Sequence, residues 1–277
     1  MASPSNCSFP VSSAAGMSDR NEFLHKYGPV ALVTGASAGI GGSFAEALAA
    51  RGFNLVLAAR RREMEEQARQ LEARHGVRVT VCQSDLTEAS AVPHILAATA
   101  ALDIGLVVSN AGYGFRGDHA SHDPADLTGM MMVNCLAPML LAHGFTPRLR
   151  ARGRGGIIFT SSVEALLGMP GSAAYAASKG FVNRLGEGLW AELRPDNIDV
   201  LTLCPGATAT DALRRAGMNA ATTPNVQSPD EVARLALENI ANGPVYLSNP
   251  HYEAMFKQLL AMPPREALTA MAGAQKK

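Results

Sequence analysis

Short apolar runs alternate with helically spaced stretches from residue 30 to residue 247. The runs fall at 30–33, 55–58, 79–82, 106–108, 157–160, 200–203 and 245–247, and the longest helical stretches at 41–51, 61–74, 127–150 and 174–193. An unbroken apolar strand is buried on both faces, as strands are in a parallel sheet covered by helices. Repeated strand–helix alternation therefore predicts an α/β, doubly wound, Rossmann-like sheet, mostly parallel and about seven-stranded, with helices on both faces. No repeat, linker or low-complexity stretch divides it, so 29–250 reads as one dinucleotide-binding and catalytic domain. Residues 1–28 read as a flexible arm, within which Met17 offers a second start, and 251–277 as a helical tail.

Composition narrows the class. The 24 basic and 24 acidic side chains cancel, which gives no electrostatic reason to expect nucleic acid or an anionic membrane as partner. Only 17% of residues are charged, so much of the surface must be neutral or apolar. Cys7, Cys82, Cys135 and Cys204 form no CxxC pair, the usage of a reducing compartment. No apolar run approaches the roughly 18 residues of a membrane span, and the first residues lack a basic segment and an apolar core. A cytoplasmic protein is the expectation.

In a doubly wound sheet, ligands bind beyond the carboxyl ends of the strands. The first such loop contains Gly35, Ser37, Ala38, Gly39, Ile40 and Gly41 and opens a helix. Glycines there permit a tight turn and let backbone N–H groups approach a pyrophosphate at the helix N-terminus. The same residues match the G-x-S-x-G nucleophile elbow, with Ser37 as the alternative's nucleophile. A serine hydrolase then needs an acid and a histidine after later strands, and only His251 follows a late strand. After the second run stand Arg60, Arg61 and Arg62, where an NAD site would carry a carboxylate. A guanidinium pairs with a ribose 2′-phosphate, which points to NADP(H), with Arg60 as main contact and Arg61 as second. Asp85, followed by Leu86, reads either as a partner for the adenine amino group or as a helix cap. Asn110, Ala111 and Gly112 form a turn that lets backbone pass close beneath a flat ligand.

Ser162 ends the fifth run, and Tyr175 and Lys179 follow 13 and 17 residues later. Positions i and i+4 share a helix face, so an ammonium beside a phenol is expected to lower the tyrosine pKa from about 10. Tyr175 then reads as a general acid for a carbonyl reduced by hydride, with Ser162 donating to the developing alkoxide.

With these motifs the chain resembles the short-chain dehydrogenase/reductase family, in its single-domain NADP-preferring branch, from about Tyr27 to residue 250. Residues 34–41 match TGxxxGIG, 110–112 match NAG, and Ser162, Tyr175 and Lys179 match the catalytic set. The resemblance implies that Asn134 completes a tetrad by holding a proton-relay water, and that Lys179 also holds the ribose. It further implies that Pro205, Gly206, Thr208 and Thr210 close over the nicotinamide amide and phosphates, and that the chain forms a homodimer or homotetramer through helices near 127–150 and 174–193. Two departures are Ser109, where many members carry a second asparagine, and Ala38, where many NADP-dependent members carry a basic residue.

The substrate pocket is expected between Tyr175 and the segment after Gly206, lined by Tyr113, Glu164, Leu166, Leu167, Met169 and 213–219, including Met218. Its apolar lining suggests a hydrophobic ketone or alcohol of ketoacyl or steroid type. His119 and His122, between Asp118 and Asp123, read as an ordinary loop, and no metal is expected. The expected activity is that of an NADPH-dependent carbonyl reductase, equivalently an alcohol dehydrogenase. A nucleotide-binding sensor without chemistry is the alternative of the same fold.

Overall fold

The computed structural model describes residues 14–60 and 64–274. Seven parallel strands form one sheet in the order β3-β2-β1-β4-β5-β6-β7. They are β1 Val30–Thr34, β2 Asn54–Ala59, β3 Val79–Gln83, β4 Ile104–Ser109, β5 Gly155–Thr160, β6 Ile198–Cys204 and β7 Val245–Leu247. Strands β1, β4 and β5 are buried along their whole length, as their uninterrupted apolar runs require. The order reverses between β1 and β4, so their carboxyl ends open a crevice.

One face carries α1 Ala14–Tyr27 and α2 Gly39–Ala50, with α3 Met64–His75 at its edge and α9 Pro229–Glu238 beside α2. Phe44, Leu48 and Phe53 fill the core there, against Val33, Leu55 and Leu106 of the strands. The other face carries α4 Ala91–Ala98, α5 Pro124–Met131, a π turn Met132–Leu136, α6 Ala137–Arg152 and α7 Ala173–Leu193. The short α8 Asp211–Arg215 precedes α9. The chain ends in α10 Pro250–Ala261 and α11 Pro264–Ala274, with Phe256 buried against Val163 and Cys204.

Two sequence expectations change here. Residues 1–13 lie outside the described residues, but 14–27 form α1 rather than a loose arm. Its last turn is docked: Phe23 and Leu24 pack on the core, and the Tyr27 hydroxyl donates to Asp199 at 2.5 Å. Burial and that carboxylate together push the Tyr27 phenol far above its ordinary value. Second, the continuous helical stretch Pro124–Arg152 is long and apolar enough to cross a membrane, with a mean hydropathy of 1.4. Counting unbroken apolar runs missed it, because polar residues interrupt the stretch. Its inner face is core: Leu141, Phe145 and Leu149 are fully buried against the sheet. Each such side chain contributes about 1.5–3 kcal/mol by leaving water, so this helix has its apolar partner within the fold.

Candidate active site

The crevice is built from the ends of β1, β4 and β5 and the first turns of α2 and α7. Thr34 fastens two of these ends: its Oγ1 accepts from the backbone N–H of Asn110 at 3.0 Å and of Ala111 at 3.1 Å. The Asn110 amide returns a bond to the Thr34 carbonyl at 3.1 Å, and its Oδ1 accepts from Thr160 at 3.2 Å. Three strand ends are thus locked at one level. Thr34 was legible only as part of the loop motif.

The glycine loop is packed too tightly for side chains. A Cβ on Gly41 would lie 2.2 Å from the Gly35 carbonyl oxygen and 2.5 Å from Asn110 Nδ2. Gly35 has φ +66°, and its own Cβ would meet Ala111 Cα at 2.9 Å. Helix α2 begins after Ala38 with no side-chain cap, so its first N–H groups are free to meet an anion. Ser37 and Ile40 flank this turn, half-buried. Above it, Thr210 approaches so closely that a Cβ on Gly39 would lie 3.1 Å from its methyl. Pro205 accepts from the Val163 N–H at 3.1 Å, Gly206 backs onto the Tyr252 ring, and Thr208 donates to the Gly206 carbonyl at 3.1 Å. The segment 205–210 therefore folds over the loop. A cavity of about 330 Å³ borders Gly39 and Thr210, and Glu46, Asp211 and Asp230 on its wall make that part an ill-suited seat for phosphate.

Arg60 follows the end of β2 with its side chain exposed, while Arg61 lies outside the described residues. Asp85 Oδ1 accepts from the Thr87 N–H and hydroxyl at 3.0 and 2.8 Å; this fastens a turn and not the helix cap of the second reading, because α4 begins only at Ala91. Leu86 is buried beneath it. Gly112 lies beside Lys179: a Cβ there would be 2.8 Å from Lys179 Nζ.

Ser162, Tyr175 and Lys179 come together at the end of β5. Ser162 caps the turn Val163–Ala165: its Oγ accepts from the Glu164 N–H at 3.1 Å, which leaves the hydroxyl proton to donate elsewhere. Lys179 is buried, donates to the Thr160 carbonyl at 2.9 Å, and lies 5.8 Å over the Tyr175 ring. Burial lowers its pKa from 10.5 to about 8. Tyr175 departs from expectation. Burial dominates and Glu164 adds to it, so the phenol is pushed up to about 12, against smaller opposing effects of Ser162 and Arg116. The ammonium spends its short bond on Thr160, and desolvation decides the direction.

Asn134 sits on the π turn, fully buried. Its amide donates to the Tyr113 carbonyl and to Ser178 Oγ, both at 2.9 Å, and its Oδ1 accepts from the Tyr113 N–H at 3.1 Å. Ser178 in turn donates to the Tyr175 carbonyl at 2.7 Å. This side chain joins the loop after β4 to α7. Extra residues that make π turns are frequent at functional sites, where they re-aim a side chain.

The expected substrate residues divide. Glu164 is buried beside Ser162 and Tyr175 and is ion-paired with Arg116, a partner with no sequence signal. Leu166, Leu167 and Met169 pack with Val163, Cys204 and Phe256 at the same strand end. Met218 is half-buried after α8, and among the described residues no hydrogen bond or ring contact joins it to Tyr175. Tyr113 is withdrawn from the pocket: its hydroxyl abuts Gly129 of α5, where a Cβ would meet it at 2.8 Å. Asp118 and Asp123 each cap a helical turn, so both carboxylates beside His119 and His122 are in structural use. Ser37 makes no hydrogen bond to a histidine or carboxylate among the described residues, and the hydrolase reading lacks its triad.

Comparison with known proteins agrees. The family model for short chain dehydrogenase matches residues 29–220. A 7β-hydroxysteroid dehydrogenase of Clostridium sardiniense is 30% identical over 87% of this chain and 93% of its own. A solved 7β-hydroxysteroid dehydrogenase superposes with TM-score 0.84 at 25% identity, covering 90% of this chain and 99% of that one. A Sphingobium yanoikuyae short-chain dehydrogenase in complex with NADPH gives TM-score 0.77 at 32% identity, covering 87% and 95%. The chain belongs to the short-chain dehydrogenase family and is an oxidoreductase acting on CH–OH or C=O groups.

Proposed function

We propose that the protein is an NADPH-dependent carbonyl reductase for hydrophobic ketones, running as an alcohol dehydrogenase in reverse. The observation that carries this is the Ser162–Tyr175–Lys179 cluster at the mouth of a glycine loop in which Gly35 and Gly41 leave no room for a Cβ. When bound, NADPH supplies the hydride. Ser162, its Oγ already occupied as acceptor, donates to the carbonyl oxygen and polarises it. Tyr175 delivers the proton to that oxygen and is reprotonated from solvent. A phenol held near 12 is fully protonated at neutral pH, the form that reduction needs. Lys179 holds the ribose and restrains the phenol, and Asn134 fixes the backbone around both.

NADP(H) over NAD(H) rests on Arg60, which stands where a carboxylate would repel the 2′-phosphate. The apolar cluster of Leu166, Leu167, Met169 and Phe256, with relatives that act on steroids, supports a bulky apolar substrate. Exposed Met131, Met139 and Phe181 lie on α5, α6 and α7 and favour assembly as a homodimer or homotetramer. A cytoplasmic setting completes the proposal.

The test is Tyr175→Phe, assayed with NADPH and a bulky ketone, with cofactor binding followed by NADPH fluorescence. Turnover is expected to fall by about 10²–10⁴-fold while NADPH still binds. Substantial residual turnover would remove Tyr175 from the role of acid.

A further inference from the structure

Arg60 is the first residue past β2, and the peptides on both sides of it are tied to the edge strand β3. The Ala59 carbonyl accepts from the Ser84 N–H at 3.1 Å, at the end of the β2–β3 ladder. The Arg60 carbonyl accepts from the side-chain amide of Gln83, also at 3.1 Å. Gln83 is paired in register with Ala59, so its side chain has only one residue to span. A trans peptide is planar, and a bond on each side therefore leaves φ and ψ of Arg60 little freedom. The direction in which its Cβ leaves the chain is set by the same two bonds.

That direction matters because the arginine is uncommitted. Its side chain is exposed, and among the described residues no carboxylate is ion-paired with it. Its positive charge is felt at the Tyr113 phenol, which belongs to the loop after β4. Salt limits such an influence to about 10 Å, so the guanidinium leans inward across the strand ends rather than out past the sheet edge. A long side chain loses rotamer freedom when it binds, and a fixed root lessens that loss.

We propose that Gln83 is a positioning residue for cofactor selectivity: it fixes the root of Arg60 so that the guanidinium meets a phosphate on the adenosine ribose. This rests on the NADP(H) reading above and adds the residue through which Arg60 is aimed. Gln83 is neutral and its amide is spent on the Arg60 carbonyl, so its action runs through the arginine. A strand-end glutamine that merely braced the sheet edge would affect every adenosine ligand alike. A brace on Arg60 affects only a ligand that carries the 2′-phosphate.

The experiment measures binding of adenosine 2′,5′-bisphosphate and of 5′-AMP by calorimetry, with no turnover involved. The ratio of the two Kd values is taken within each protein, so the fraction of folded protein cancels. Gln83→Met keeps the length of the side chain and removes the donor. Wild type is expected to bind the bisphosphate more tightly, and Gln83→Met to lower that preference about 3–10-fold, the range of one neutral hydrogen bond, with 5′-AMP affinity unchanged. In an Arg60→Ala background the same substitution leaves the ratio where it is, because the residue it aims is gone. An unchanged ratio in Gln83→Met, or an equal fall with and without Arg60, overturns the proposal while leaving the NADP(H) reading intact. A wild type with no preference for the bisphosphate overturns that reading and this proposal together.

Discussion

Lys179 puts a buried ammonium at the centre of the site, and its burden on stability is measurable. Its folded pKa is about 8 against an ordinary 10.5. Because the folded value is the lower one, the unfolded chain holds the proton more readily between pH 8 and 10.5. Stability therefore rises with pH through that window, and below pH 8 the burial penalty is fully present. At about 1.4 kcal/mol per unit, the penalty is about 3 kcal/mol at pH 7 and about 1 kcal/mol at pH 9.5. Lys179→Met keeps most of the aliphatic stem and removes the charge. Urea unfolding, followed by the fluorescence of Trp190, the single tryptophan, reports both proteins. The wild type should gain about 2 kcal/mol on the variant between pH 7 and pH 9.5. Tyr27 and Tyr175, both raised, destabilise the fold only above about pH 10, and they are common to the two proteins. The bond to Thr160 shifts the difference by a roughly constant amount. A gap that stays flat from pH 7 to 9.5 would refute the idea that Lys179 is held desolvated.

Two further substitutions separate cofactor choice from acid placement. Arg60→Asp should lower the NADPH-to-NADH ratio of kcat/KM by about 10–100-fold, the worth of one charge-assisted contact; an unchanged ratio removes Arg60 from the 2′-phosphate site. Gly114→Ala places a Cβ 2.4 Å from Tyr175 Cδ2 and must push the ring aside. The expected result is a fall in kcat of about 10²-fold with NADPH affinity retained, and a kcat equal to wild type would show that the ring has slack.

The order of short buried strands was legible because apolar runs of this kind have one stable arrangement, and the seven-stranded sheet follows them closely. Ser162, Tyr175 and Lys179 were legible because strand end and helical spacing alone bring them together. Helix α1 was not, since its stability comes from Phe23, Leu24 and Tyr27 meeting a sheet edge far away in sequence. Nor was the direction of the Tyr175 shift: spacing reveals a neighbouring charge but not the degree of desolvation. The Arg116–Glu164 pair joins residues 48 positions apart through two loops, and no local pattern announces it.

The Asn134 side chain sends all of its bonds to main-chain atoms and one serine, tying the loop after β4, the π turn and α7 into one stiff piece. Main-chain partners do not change when side chains do. The frame around Tyr175 is thereby insulated from sequence drift beside it. Side chains outside that frame can then change by small steps while the phenol keeps its bearing.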